Sequence, residues 1–338
     1  MQLELISKHR NVIYGVAIFW IALFHGCELN IIDYSFGQGA LNWLQSIISM
    51  GDLGVDIFLF LSGVCLYYSF NTKQDAYSFL RKRLMRVVPS VLVVYGLYWT
   101  IRYGVIENQW GGVLGRFTLM QFWLTGEQSI WFVSLILVLY ACYPYIYWFL
   151  FRKRNNVFRI CFLLGASYLT ILAIGLVAHE WYCNVGIALY RIPVFFFGCW
   201  FAKFVYEKKR MPKAMAVICL IITIVFVALL SKFDVTGAIR RVLYFPAGVV
   251  IAYTIAMIAD MLERCDLIKK TAGCFFMFLG SISLELYLTH IMFNQILRLS
   301  AWYVEGSLLQ YIIVVALSVL LAYVTKRISV LIGKRFLQ

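Results

Sequence analysis

Apolar runs of about 20 residues recur along the whole 338-residue chain, and they constrain its fold more than any other feature. A helix of that length rises about 30 Å, which matches the hydrocarbon thickness of a bilayer. The mean hydropathy is +0.83 and only 14% of the residues are charged, a composition that excludes an ordinary water-soluble globule. The sequence therefore predicts an integral membrane protein.

We predict an all-α, polytopic fold with ten membrane-spanning helices. The apolar runs lie at 12–29, 52–70, 87–106, 129–150, 158–178, 186–204, 214–231, 242–262, 272–297 and 308–325. No low-complexity linker separates them, so we expect residues 1–338 to form a single transmembrane domain without an appended soluble domain. The segment 75–90 has a cationic and an apolar face, which predicts a helix in the membrane interface before Pro89 opens the third span.

The formal net charge of +14 follows the positive-inside pattern of membrane proteins. If the N-terminus is cytoplasmic, 23 of the 30 basic residues fall on the cytoplasmic side. The seven that remain outside are Arg102, Arg116, Arg191, Lys232, Arg240, Arg241 and Arg298. This distribution predicts that both termini are cytoplasmic, and it attributes the charge to membrane topology instead of nucleic-acid binding.

Ionisable side chains inside the apolar runs indicate functional positions, because lipid does not solvate them. On a helical wheel, Tyr14, His25 and Glu28 share one face of the first span. Asp56 lies near the outer end of the second span, at a depth that we expect to be close to that of His25. The first two spans therefore predict a carboxylate beside an imidazole near the outer side of the membrane.

A third polar stripe runs along the ninth span, where Tyr287 and His290 share a face while Glu285 lies on another. Plainer interpretations stay open, because helix-to-helix hydrogen bonds account for each histidine and helix capping accounts for Asp56. The four histidines show no metal-ligand spacing, and the nine cysteines contain no Cys-x-x-Cys pair. We therefore expect no metal site.

Six motifs resemble those of the membrane acyltransferase 3 family in order and spacing. They are YGVAIFWIALFH (14–25), GVDIFLFLSGV (54–64), KRLMRVVP (82–89), WFVSLILVLYACYP (131–144), RIPVFFFGCWFA (191–202) and GSISLELYLTHI (280–291). The resemblance runs from position 11 to about 325 and so covers nearly the whole chain. Similar proteins usually begin the first motif with arginine, whereas this chain has Tyr14.

The resemblance implies a function, since the family includes bacterial enzymes that O-acetylate cell-surface polysaccharides. It implies a ten-helix acyltransferase of the bacterial cytoplasmic membrane that takes an acyl group from cytoplasmic acyl-CoA. We expect this group to be acetyl. The implied acceptor is a hydroxyl group of an extracytoplasmic glycan. The presumed catalytic histidine of the family maps to His25, and its R-x-x-R motif maps to Arg83 and Arg86.

Residue chemistry gives these positions specific expected roles. Arg83 and Arg86, with Lys82 beside them, are expected to bind the phosphates of acetyl-CoA at a cytoplasmic mouth. His25 is expected to act as general base toward the sugar hydroxyl or to form an acyl-histidine, and the sequence leaves both routes open. Asp56 would orient the imidazole. Supporting or substrate-binding candidates are Glu28, Ser134, Arg191, Tyr287 and His290.

Two other functions fit parts of the sequence. A proton-coupled transporter or exporter would use His25 and Asp56 as a proton relay. Such transporters often contain an internal repeat, which we do not find between the two halves of the sequence. Proton transport also does not require a group of basic residues that binds phosphate. The third possibility is a catalytically inert membrane scaffold.

Overall fold

The computed structural model describes residues 3–28, 42–152, 156–210 and 237–337, together with positions 217, 218, 221 and 225. Within these ranges the chain is almost entirely helical and forms no β-strand. The all-α fold class that the apolar runs predict is therefore confirmed for the described part of the chain.

Ten principal helices lie in these ranges. In chain order they are α1 (Arg10–Glu28), α2 (Leu44–Phe70), α3 (Ala76–Ile106), α4 (Trp131–Phe151), α5 (Asn156–Val177), α6 (His179–Tyr206), α7 (Gly237–Leu262), α8 (Asp266–Ser281), α9 (Ser283–Leu299) and α10 (Leu308–Leu337). Two shorter helices, Trp110–Phe117 and Gln121–Thr125, lie between α3 and α4.

Seven helices are long and apolar enough to cross a bilayer, namely α2 to α7 and α10. Helices α8 and α9 meet this condition only as a bent pair, and the apolar part of α1, Arg10–Gly26, is slightly too short. The described residues thus provide seven candidate spans, or eight with the bent pair. The predicted count of ten and the orientation of the termini stay predictions, and the predicted span 214–231 lies outside the described residues apart from isolated positions.

The predicted ninth span, 272–297, is broken at Ile282 and is not one continuous helix. Ile282 leaves the helical region with φ −110° and ψ 14°. Its N–H donates to the Leu279 carbonyl three residues back at 3.2 Å, a tightened last turn that ends α8. A new helix, α9, begins at Ser283 and positions the polar residues of this segment.

The predicted interface helix at 75–90 and the third span at 87–106 form one continuous helix, α3, so Pro89 does not separate them. The carboxylate of Asp75 starts this helix by accepting hydrogen bonds from two backbone N–H groups of the first turn, at 3.1 and 3.3 Å. Pro89 has no N–H group to donate, and the helix widens just beyond it into a π-helical turn at Leu92–Gly96.

Internal contacts divide the chain into two compact units. The first unit comprises Met1–Tyr68, Arg191–Ser283 and Val304–Ile312. The second unit comprises Ser69–Tyr190, Leu284–Tyr303 and Ile313–Gln338. The first therefore contains α1, α7, α8 and most of α2, while the second contains α3, α4, α5 and nearly all of α9 and α10. A single transmembrane domain over 1–338 stays a prediction.

Close backbone contact joins α1 and α8 in the first unit. A Cβ atom placed on Gly15 would lie 1.9 Å from the Phe276 carbonyl oxygen, and one placed on Gly280 would lie 1.8 Å from the Asn11 carbonyl oxygen. Both distances are far below a van der Waals contact. Only glycine at these two positions lets the helices approach so closely.

Gly15→Ala and Gly280→Ala are each expected to destabilise the protein, because the added methyl group must push α1 and α8 apart. Overpacking of this kind costs about 1–3 kcal/mol. Gly165→Ala in α5 is the matched control, since a Cβ atom there meets no atom within 4 Å. Melting temperatures in detergent measure the difference, and equal values for the three variants would contradict the packing described for α1 and α8.

Candidate active site

His25 lies on the last turn of α1, three residues before Glu28 ends the helix. Its side chain is half-buried, and its ring centroid lies 5.2 Å from that of Phe24. Tyr311 packs against the same turn, where its hydroxyl donates to the Ala22 carbonyl at 2.9 Å. His25 is thus partly accessible on a turn that Tyr311 holds in place, while the side chain of Glu28 lies outside the described part of the structure.

The end of α1 packs beside the start of α2. A Cβ atom on Gly51 would lie 2.7 Å from the Cβ atom of the residue that precedes His25. The turn that bears His25 is therefore next to the segment that leads into Asp56. Tyr14, at the position where similar proteins usually have arginine, makes an aromatic contact instead, with its ring centroid 5.0 Å from that of Phe58.

Asp56 forms a buried ion pair with Arg191. The two side chains are 1% and 3% exposed, and Asp56 Oδ2 lies 3.4 Å from Arg191 Nε. A lone carboxylate at such a position would lose its hydration without compensation, whereas the guanidinium offsets part of that loss. The carboxylate therefore has Arg191 as its ionic partner, and its expected role in orienting the His25 ring stays a prediction.

Arg191 also reaches Asp52, which extends the pair into a network across α2, α6 and α7. Arg191 Nη2 lies 3.5 Å from Asp52 Oδ2, and the Tyr244 hydroxyl donates to Asp52 Oδ1 at 2.9 Å. Arg240 Nη2 lies 3.7 Å from the same Oδ1 atom. Two acids and two arginines leave no net formal charge in this network. Arg191, a candidate for binding the acceptor, is thus held by two carboxylates.

In the second unit, Lys82 and Arg83 line a cavity of about 200 Å³ at the start of α3. The Arg83 guanidinium lies 5.4 Å from the ring centroid of Phe79, which is a cation–π contact. Lys73 lines the same cavity, and Asp75 is the one acid among its described lining residues. The cavity therefore carries an excess of positive charge suited to phosphate groups.

Arg86 lies close to Arg83 on α3 and has a different environment. Its Nη1 donates to Glu285 Oε1 at 2.7 Å. The Ser90 hydroxyl donates to the same oxygen at 3.0 Å, and Lys326 Nζ lies 3.6 Å from it. The two arginines of the R-x-x-R motif are thus in separate settings, since Arg83 lines the cavity and Arg86 pairs with a buried acid.

Ser134, Tyr287 and His290 are all buried in the second unit. The Ser134 hydroxyl donates to the Leu119 carbonyl at 3.2 Å. The ring centroids of Tyr287 and His290 lie 5.9 Å apart, and His290 Nδ1 lies 2.8 Å from the Leu286 carbonyl oxygen one turn back on α9. A backbone contact therefore accounts for one imidazole nitrogen, and the substrate-binding roles of the three residues stay predictions.

One group of potential metal ligands comes together in the first unit, although their spacing in the sequence did not indicate it. The ligand atoms of His9, Asp260 and Glu263 lie within 4.8 Å of one another. Lys8 Nζ lies 2.7 Å from both carboxylates, and these hydrogen bonds raise the pKa of Lys8 and lower the pKa of Glu263. The cation that the two acids bind in this structure is the Lys8 ammonium group.

Glu285 and Lys326 are not among the site residues predicted from the sequence. A signal for Glu285 exists, because an acid inside an apolar run requires a cation. The sequence does not indicate which cation, since Arg86 is 199 positions away. The helical wheel of α9 shows only that Glu285 lies off the face of Tyr287 and His290.

Comparison with known proteins identifies the family. The model of the acyltransferase 3 family, described as an acyltransferase domain, matches residues 11–327. This chain belongs to that family. The match confirms the resemblance inferred from the six motifs, and the apolar helices agree with a membrane protein. Membership favours an enzyme over the transporter and scaffold alternatives.

A curated relative gives more distant support. The acyltransferase MdmB of Streptomyces mycarofaciens is 21% identical to this acyltransferase 3 protein over 203 residues. The match covers 55% of this chain and 51% of the relative, so the chain spans about half the length of the curated relative that it matches. No solved structure matches the chain. The similarity supports acyl transfer in general and leaves the donor and acceptor unassigned.

Arg191→Gln is expected to destabilise the first unit, because it leaves the Asp56 carboxylate buried without its cation. Loss of one partner of a buried pair costs about 3–5 kcal/mol. The double variant Arg191→Gln/Asp56→Asn removes both charges and should recover part of the loss. Melting temperature and purified yield in detergent measure both effects.

Lys203→Gln is the control on the same helix, because Lys203 lies 3.7 Å from Glu207 in an exposed pair. Its effect should be below about 1 kcal/mol. If Arg191→Gln melts at the same temperature as Lys203→Gln, the buried pair does not stabilise the unit.

Proposed function

We propose that this acyltransferase transfers an acetyl or other acyl group from cytoplasmic acyl-CoA to a hydroxyl group of an extracytoplasmic glycan. It would act in the bacterial cytoplasmic membrane and modify a polysaccharide of the cell envelope. The observation that carries the proposal is a cavity with cationic lining in a member of an acyltransferase family. Acyl-CoA is the acyl donor whose several phosphate groups such a cavity would attract.

The donor chemistry matches the cavity in two respects. Lys73, Lys82 and Arg83 provide three positive charges around it, against the single acid Asp75. The planar guanidinium of Arg83 is able to bind two phosphate oxygens at once, and it also makes a cation–π contact with Phe79. Arg86 is the second arginine proposed to bind the donor.

His25 is the residue we propose as general base, because imidazole accepts protons near neutral pH and the side chain is only half-buried. It would take the proton of the sugar hydroxyl as that oxygen attacks the thioester carbonyl. The C–S bond then breaks, and the imidazolium returns the proton to the leaving thiolate. In the alternative route, the acyl group passes first to the His25 ring and then to the sugar.

His25→Ala is expected to lower kcat for acetyl transfer about 10²–10⁴-fold, the usual contribution of a general base. Purified protein in liposomes, supplied with labelled acetyl-CoA and envelope polysaccharide from cells that lack the protein, measures the transfer. His179→Ala makes the same chemical change at an exposed histidine of α6 and should leave kcat unchanged.

The reaction itself is tested by comparing cells with and without the wild-type protein. Mass spectrometry should show that the surface glycans of cells without it lack an acetyl increment. An unchanged glycan, together with no transfer in liposomes, would contradict the proposal. Labelled protein trapped with acetyl-CoA and no acceptor would favour the acyl-histidine route over direct transfer.

Arg83→Ala is expected to raise KM for acetyl-CoA about tenfold, because the donor loses hydrogen bonds to a charged group. The value of kcat should change little, since Arg83 is not proposed to act on the reacting atoms. Arg264→Ala removes the same charge from an exposed position of the first unit and should leave KM unchanged. Equal KM values for the two variants would exclude the cavity as the donor site.

A further inference from the structure

Glu285 on α9 is completely buried, and its carboxylate is the meeting point of three helices. Its Oε1 atom accepts Arg86 Nη1 at 2.7 Å and the Ser90 hydroxyl at 3.0 Å, both from α3. Lys326 Nζ of α10 lies 3.6 Å from the same oxygen. The Ser329 hydroxyl, also on α10, lies 3.1 Å from that of Ser90. One buried acid thus holds charged and hydroxyl groups from two neighbouring helices.

The contact with Glu285 restrains Arg86 and leaves most of its guanidinium available. A guanidinium has five N–H donors. Among the residues that the structure describes, Glu285 is the one group that Arg86 contacts by hydrogen bond. The Arg86 side chain is nevertheless 41% exposed. Glu285 therefore binds one N–H group of the Arg86 guanidinium, and the other N–H donors are accessible to a ligand.

Stability alone does not account for this cluster. Replacing a buried ion pair by apolar residues of similar volume is often neutral or stabilising. Here the cluster also contains a second cation, Lys326, which is 23% exposed. Two cations and one acid leave one net positive charge, and the like charges of Arg86 and Lys326 repel each other. A bound anion would complete the charge balance.

We infer that Arg86 and Lys326 together bind a phosphate group of the acyl-CoA donor, and that Glu285 is the positioning residue that orients Arg86 for it. The identity of the anion rests on the proposed function. Glu285 restricts the guanidinium to one orientation, so less motion is lost when phosphate binds. Lys326 adds a positive charge that the R-x-x-R motif does not include.

CoA binding to the purified full-length protein, measured by calorimetry, tests this site independently of acyl transfer. Glu285→Asp should weaken CoA binding about tenfold, because the shorter side chain keeps the charge but no longer reaches the position that orders Arg86. In an Arg86→Ala background the same substitution should have almost no further effect, because Glu285 acts through Arg86. Glu180→Gln, at an exposed acid of α6, should bind CoA like the wild type.

Lys326→Met provides a second test that does not depend on how Glu285→Asp folds, because Glu285 keeps its Arg86 partner in that variant. It should weaken CoA binding several-fold. Lys334→Met, at an exposed position of the same helix, should not. CoA binding of wild-type strength in Lys326→Met, or an equal loss in Lys334→Met, overturns the inference.

A truncated ligand distinguishes the phosphate groups of CoA. If Lys326→Met weakens binding of CoA but not of 3′-dephospho-CoA, the 3′-phosphate occupies the site, whereas equal weakening assigns the diphosphate. In the transfer assay, KM for acetyl-CoA should rise in parallel while kcat is retained. A lower kcat with unchanged KM would indicate a purely structural role and contradict the inference. A wild-type protein that binds CoA in this pattern yet transfers no acetyl group would overturn the proposed function alone.

Discussion

A charged side chain inside an apolar helix needs an opposite charge beside it, and one such buried pair joins two helices in each unit. In the first unit, Asp56 and Arg191 pair at 3.4 Å and draw α2 against α6. In the second unit, Glu285 and Arg86 pair at 2.7 Å and draw α9 against α3. An apolar helix face is able to pack against many other apolar faces, whereas a buried carboxylate requires a helix that carries a cation.

The chemistry proposed for the enzyme is divided between the two units. The first unit contains His25 on a turn of α1 that Tyr311 and the start of α2 support. The second unit contains the cationic groups, Arg83 in its cavity and Arg86 on its buried acid. The acyl-CoA donor carries several negative charges and needs several cations to bind it. The proposed general base needs only one imidazole.

Sequence patterns predict well which segments are helical, because hydrophobicity determines this. They predict poorly where a helix begins or ends, because this depends on backbone geometry. Pro89 suggests the start of a helix, yet α3 continues through it, because a helix embedded in apolar neighbours tolerates one missing hydrogen bond. Ile282 lies within an apolar run, yet the helix ends there. Among the candidate site residues, the ionisable groups in apolar runs are easily found from the sequence. The oppositely charged residues that pair with them are not.

The sequence by itself determined that the chain is helical, apolar enough for a membrane, and a member of the acyltransferase 3 family, because residue type and local spacing carry that information. Only the tertiary structure decided that Asp56 pairs with Arg191 and that Glu285 pairs with Arg86 and Lys326. Electrostatic pairing depends on distances of a few ångströms between residues far apart in the chain, and no local pattern specifies them.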